Sequence, residues 1–270
     1  MKSYYLRGGI ALAVILLVEL NFFLKVQPFE KFYFPIVWVA YIFLVDAIAE
    51  SKRGKSFILS NPLTTLAMFI ISVPFWHLFE YINLRLQNWS YIGTEFFGSY
   101  KDVFAALSFS TVIPAFFLTL FLFYPFSREK LVAKKSLPRN RTNLFVLVGI
   151  LLLLLPLIWP RYFFPVIWAF LIFLLDPLNY NLGQPSILRA YERNDKRFFV
   201  SVAITSLVLG FFWEFWNFWA SVKWVYSVPF VGFAKIFEMP LLGYLGYVPF
   251  GFSIFAFYFF VEGIFRQKWG

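Results

Sequence analysis

The sequence predicts an all-α, polytopic membrane protein of about eight transmembrane helices, arranged as two tandem parallel four-helix repeats. Three observations carry that prediction. Hydrophobic residues make up 61% of the 270 residues and charged ones only 14%, too little polar surface to coat a water-soluble globule. Apolar runs of about 18 residues or more recur from end to end, each long enough to cross a hydrocarbon core of about 30 Å, and leave no stretch for a sizeable soluble domain. Finally, the two halves repeat each other: Lys31-Phe32-Tyr33-Phe34-Pro35-Ile36-Val37-Trp38 returns as Arg161-Tyr162-Phe163-Phe164-Pro165-Val166-Ile167-Trp168.

The first run, from about 8 to 24, follows Lys2 and Arg7. It has the layout of a signal peptide, yet no small-residue cleavage site follows, so it reads as a retained first helix. The later spans are predicted at about 34–49, 62–84, 105–126, 143–160, 163–178, 199–221 and 240–265. Of the 24 Lys and Arg residues, only Lys25, Lys31, Arg85, Lys101, Arg161, Lys223 and Lys235 fall on the other side from Lys2 and Arg7. The positive-inside rule then puts both termini in the cytoplasm of a multi-pass protein of a cell inner membrane. It also accounts for the net charge of +10 without nucleic acid as a partner. Four helices return the chain to its starting side. The first unit (1–127) and the second (143–270) should therefore lie parallel about a pseudo-twofold axis along the membrane normal. Between them, 128–142 reads as a basic, exposed cytoplasmic linker containing Pro138 and Asn140.

The composition narrows the chemistry. The absence of cysteine excludes disulfides, thiolate metal sites, iron–sulfur clusters and a cysteine nucleophile. The single histidine, His77, excludes histidine-rich di-iron sites and a bis-His haem. The expected reading has no cofactor and no metal, with membrane lipids and a hydrophobic small molecule as the candidate partners.

The repeat also pairs polar residues. Ile42-Phe43-Leu44-Val45-Asp46 matches Ile172-Phe173-Leu174-Leu175-Asp176, and Ser56 matches Ser186. After a small drift in register Glu80 matches Glu214, Asn83 Asn217, Trp89 Trp224, Tyr91 Tyr226 and Pro114 Pro249. Asp46 and Asp176 come late in their helices, where a carboxylate reaches the interface or pairs with a basic neighbour such as Lys52 or Arg189. Glu214 and Asn217, at i and i+3, share one face of an apolar, aromatic helix in Trp213-Glu214-Phe215-Trp216-Asn217-Phe218-Trp219. Such a pair is either an interhelical polar clamp or a functional site, since ionisable groups are costly in lipid. A neutral carboxylic acid in an aromatic site is a proton donor. Lys223-Trp224-Val225-Tyr226 reads as an interfacial aromatic belt or as a pocket wall. Glu238-Met239-Pro240 opens the last helix from the same side, so that Glu214 and Glu238 would flank one outer-leaflet pocket. In the first unit Val103 stands at the place of Glu238, with Asp102 the nearest acid. Trp213, Trp216 and Trp219 would line a slot for a long apolar ligand or stabilise a cation with their faces. Glu19, Glu262 and His77 are unmatched in the repeat and take no role.

Glu214, then Trp224-Val225-Tyr226, then Glu238-Met239-Pro240 resemble, in that order, the motifs of the membrane-embedded lycopene cyclase domain: a late acidic residue, a Trp-x-aromatic turn and a Pro-x-Glu-Glu helix start. This chain departs from the last in placing its glutamate before the proline and in having no Glu-Glu pair. The resemblance covers about 205–260, with a fainter copy over 75–125. It implies acid-initiated cyclisation of a polyene without redox change. Glu214 or Glu238 would protonate a terminal double bond, aromatic faces would stabilise the carbocation, and a carboxylate would remove the last proton. Two alternatives stand beside this isomerase of carotenoid biosynthesis. One is a small transporter or lipid-binding protein using Asp46, Asp176, Glu80 and Glu214 at the repeat interface. The other is a membrane scaffold subunit.

Overall fold

Backbone polar groups in an apolar solvent must be satisfied within their own segment, and the long apolar runs fold accordingly. The computed structural model describes residues 3–269, so Lys2 of the charge count lies outside the described residues. Its principal helices are α1 (Ser3–Leu24), α2 (Tyr33–Arg53), α3 (Pro62–Leu86), α4 (Val112–Phe123), α5 (Arg139–Ile158), α6 (Phe170–Asn181), α7 (Lys196–Trp219) and α8 (Tyr247–Trp269). Counting the helical segments that lead into α4, α6 and α8, the described residues hold 8 spans long and apolar enough to cross a membrane. Leu63, Ile70 and Leu84 are exposed on their outer faces, while Trp38, Phe75, Phe116 and Phe255 fill the interior.

Packing follows the chain. α1 lies on α2, both α2 and α3 lie on α4, α5 lies on α6, and α6 and α7 lie on α8. The halves meet where α7 touches α4 and α3 touches α8. Gly149 lets α5 and α6 approach closely: a Cβ there would stand 2.6 Å from the Leu174 backbone nitrogen.

Three spans are not the continuous helices expected. The fourth begins as a 3-10 segment, Thr94–Tyr100, continues as Lys101–Phe109 and breaks before α4. Pro114 is the cause, because it offers no N–H to the Ser110 carbonyl and its ring crowds that carbonyl. Ser72 of α3 fills the gap, donating to the Phe109 carbonyl at 2.5 Å and accepting from Ile113 N at 3.1 Å. The sixth span runs from a helical turn, Pro160–Phe163, through the 3-10 segment Phe164–Ala169, which holds Pro165, and the eighth opens with the 3-10 segment Leu241–Gly246, ahead of Pro249.

The bundle has two dissimilar ends. At one, the chain leaving α3 forms β1 (Trp89–Ile92) and the chain leaving α7 forms β2 (Lys223–Tyr226). They pair antiparallel, Trp89 opposite Tyr226 and Tyr91 opposite Trp224, so one strand from each half makes a single ribbon. At the other end, Asp46 and Asp176 each cap a short helix. Asp46 accepts from Phe57 N at 2.7 Å and Ile58 N at 3.1 Å, and Asp176 accepts from Ile187 N at 2.7 Å and Leu188 N at 2.9 Å. The basic partner of Asp46 is Arg7, at 2.9 Å, rather than Lys52. Asp176 relies on the helix N-terminus, and Arg189 turns instead to Glu192 at 3.1 Å. The linker is not a free tether over its first residues. Leu131 is buried, Val132 bridges to Pro185, and Arg128 binds Glu262 and Gln184.

Candidate functional site at the ribbon end

The Glu/Asn spacing explains how the ribbon is built. Asn217 donates to the Trp224 carbonyl at 2.8 Å and accepts from Trp224 N at 2.9 Å, closing the turn from α7 into β2. Asn83 does the same for β1, donating to the Trp89 carbonyl at 2.8 Å and accepting from Asn88 N at 2.9 Å. Both amides are therefore clamps that set the strands. Side chains alternate along a strand, so Trp89 and Tyr91, and likewise Trp224 and Tyr226, fall on one face. That face is turned to the two glutamates.

Glu80 accepts three aromatic donors on one oxygen: Trp76 Nε1 at 2.7 Å, Trp89 Nε1 at 3.2 Å and the Tyr91 hydroxyl at 2.6 Å. Glu214 is fully buried. Its Oε1 accepts the Tyr226 hydroxyl at 2.8 Å and the Tyr247 hydroxyl at 2.5 Å, while Trp224 Nε1 donates to the Tyr226 oxygen at 2.8 Å. Glu214 Oε2 has no partner among the described residues. Burial first, and then the adjacent carboxylate, hold the Tyr91 and Tyr226 phenols well above their ordinary range, so both remain neutral donors.

In the repeat register Trp76 corresponds to Gly210, and Val112 to Tyr247. A Cβ at Gly210 would collide with the Tyr247 ring. The second half thus removes an indole from α7 and supplies a phenol from α8 in its place. This exchange could have been found by reading the aligned repeat for compensating large and small residues. Tyr247 and Trp76 were missed for want of that comparison, whereas Trp168, matched by Trp38, carries no such exchange.

Beneath the ribbon lies a cavity of about 370 Å³, enclosed by both halves and by the segments that lead into α4 and α8. Its walls are aromatic, with Trp76, Trp89, Trp168, Trp213, Trp224 and Phe250 among them, and Trp168 stacks on Phe79 and Trp89. Of the residues predicted for a site, Trp213, Trp224 and Tyr226 line it. Glu80, Glu214 and Asn217 do not; they stand behind the phenols and indoles. Glu238 is ion-paired with the lining residue Lys223 at 2.6 Å and makes no hydrogen bond to Glu214. Trp216 faces elsewhere: its Nε1 donates to Glu19 at 2.8 Å, an oxygen that also accepts the Tyr33 hydroxyl at 3.0 Å, and its ring packs on Trp38. Trp219 rests edge-on against Phe22 of α1, and His77 contacts the Val73 carbonyl at 2.8 Å. Asp46 and Asp176 lie at the far end of the bundle and do not join the cavity. Among the described residues no group of three or more His, Asp or Glu side chains could hold a metal ion. No family model, curated protein or solved structure matches the chain.

Proposed function

We propose that the chain is an integral membrane protein that takes one end of a long apolar molecule, an isoprenoid or other lipid, into the cavity beneath the ribbon. The observation that carries this is a cavity of about 370 Å³ walled by indole and phenyl rings, with both carboxylates withdrawn behind hydrogen-bonded aromatics. That volume lies toward the lower end of the roughly 300–1,000 Å³ typical of small-molecule sites, which suits one end of a long chain. The architecture we assign is two tandem parallel four-helix units about a pseudo-twofold axis. It is supported by the matching Asn83 and Asn217 clamps, by the matching Asp46 and Asp176 caps, and by a ribbon whose register exchanges corresponding residues, as a twofold axis requires. The bias of basic residues supports a multi-pass inner-membrane protein with both termini cytoplasmic and the cavity in the outer leaflet. The test is mass spectrometry of apolar molecules carried through purification by the wild type and by Ala105→Trp, which fills the cavity. Retention in the wild type and loss in a folded variant are expected. A wild type that holds no apolar molecule, native or added, would overturn the reading.

Acid-initiated cyclisation of a lycopene-like polyene is a second reading, favoured by one observation: Glu214 Oε2 is buried without a partner while Oε1 is held by two phenols that face the cavity. A proton leaving Glu214 would pass through Tyr226 or Tyr247 to a terminal double bond. The tryptophan faces would stabilise the cation, and return of a proton from it to the Glu214 carboxylate by the same phenols would complete an isomerisation without redox change. In a lycopene-producing host, cyclised products present with the wild type and absent with Glu214→Gln would support it. An unchanged pigment profile from folded wild-type protein would remove lycopene as substrate.

A further inference from the structure

We infer that the molecule held in the cavity carries one uncharged hydrogen-bonding group, a hydroxyl or a carbonyl, and that the Asn88 carboxamide binds it. This rests on the cavity being a lipid-binding site and names the chemical class of its ligand. Asn88 lines the cavity and is 5% exposed. Its backbone is fully used, N donating to Asn83 Oδ1 at 2.9 Å and O accepting from Ser227 N at 2.8 Å. Its side-chain amide, with two donor hydrogens and an acceptor oxygen, makes no hydrogen bond among the described residues.

The residue is buried, yet its amide is not sealed in packed protein: it opens on the cavity, where a ligand group can reach it. Most of the hydroxyl-bearing side chains there, and Lys223, are engaged. Tyr91 is on Glu80, Tyr226 and Tyr247 are on Glu214, Ser108 donates to the Phe104 carbonyl at 3.0 Å, and Lys223 is on Glu238. Thr94 is also without a partner among the described residues but is only half-buried, and the indole N–H groups of Trp168 and Trp213, likewise without one, can donate but not accept. The charges around the cavity cancel. Lys101 is followed by Asp102, both exposed, and Lys223 is paired with Glu238. An anionic headgroup would meet no net positive field, and a pure hydrocarbon would leave Asn88 unsatisfied. An alcohol or ketone on a long apolar chain fits both constraints.

The test uses 1-hexadecanol, hexadecane and hexadecyl phosphate, which share one chain and differ only at its end, measured by equilibrium retention on the full-length protein in nanodiscs. Hexadecanol is expected to bind roughly five- to tenfold more tightly than the other two, as one added hydrogen bond allows. Asn88→Leu, and independently Asn88→Ala, should remove that preference while hexadecane binding persists, which also reports that the variant is folded. Equal binding of hexadecanol and hexadecane by the wild type, tightest binding of the phosphate, or an unchanged preference in a folded variant would overturn the inference and leave the apolar cavity standing. Failure of all three molecules to bind would overturn the cavity reading itself. Should neither variant fold, the wild-type ratio decides alone.

Discussion

At the scale of single residues, the two halves use the same kind of side chain for the same task and differ where space was reassigned. Gly210→Ala should destabilise the protein by about 1–3 kcal/mol, the usual range for overpacking, because its methyl group would strike the Tyr247 ring; a detergent melting curve measures it. If the second half contains this exchange, Gly210→Ala combined with Tyr247→Ala should not lose the sum of the two single costs. At the opposite end, Asp46 and Asp176 should separate in the same assay. Asp46→Ala leaves Arg7 with Glu50 alone and removes the acceptor of Phe57 N and Ile58 N, and should cost about 1–3 kcal/mol for the unsatisfied donors. Asp176→Asn keeps an acceptor for its two backbone donors and should cost less. Much of this was legible in the sequence. The i, i+3 pairing of Glu214 with Asn217, and its copy at Glu80 and Asn83, can be read from the helix period alone. What that period does not encode is the partner. Tyr247 comes to Glu214 from 33 residues away, and its first-half counterpart is a valine.

At the scale of elements, the spans are legible because hydropathy over about 18 residues registers length and polarity, and it is blind to a break inside the run. Pro114 marked such a break, but the backbone groups it frees are satisfied by Ser72 from another helix, a contact no local pattern reveals. Ser72→Ala should therefore cost about 1–3 kcal/mol by leaving the Phe109 carbonyl without its donor. The strands were hidden for a different reason. Four residues such as Trp89-Ser90-Tyr91-Ile92 carry the same composition as an interfacial aromatic belt, and only a partner strand turns them into a ribbon. The register gives a direct check. The chain has no cysteine, so Ser90→Cys with Val225→Cys introduces a single pair at directly opposed positions. Oxidation should give the intramolecular disulfide in high yield, whereas Ser90→Cys with Lys223→Cys, out of register, should give little.

Across the whole molecule, the likeness between the two halves is legible before any contact is known, because it lies in the residue pattern itself, as in 31–38 against 161–168. The cavity was less legible. Its walls come from both units, and the residues predicted to face a ligand divide between it and other neighbours: Trp213 and Trp224 line it, while Trp216 reaches Glu19 of α1. Topology offers a test at this scale. A cysteine placed at Lys235 should react with a membrane-impermeant maleimide added outside intact cells, and one placed at Lys134 should react only after the membrane is opened; the reverse pattern would invert the orientation.

The ribbon has one more consequence. β1 has β2 as its strand partner, and each comes from a different half. A half expressed by itself would end in an open edge, able to find relief in a second copy of itself, since Trp89 and Tyr91 could face each other across a true twofold axis much as they now face Tyr226 and Trp224. Cutting the chain between the units need not destroy it. The fragments, made together, should recognise one another by that seam.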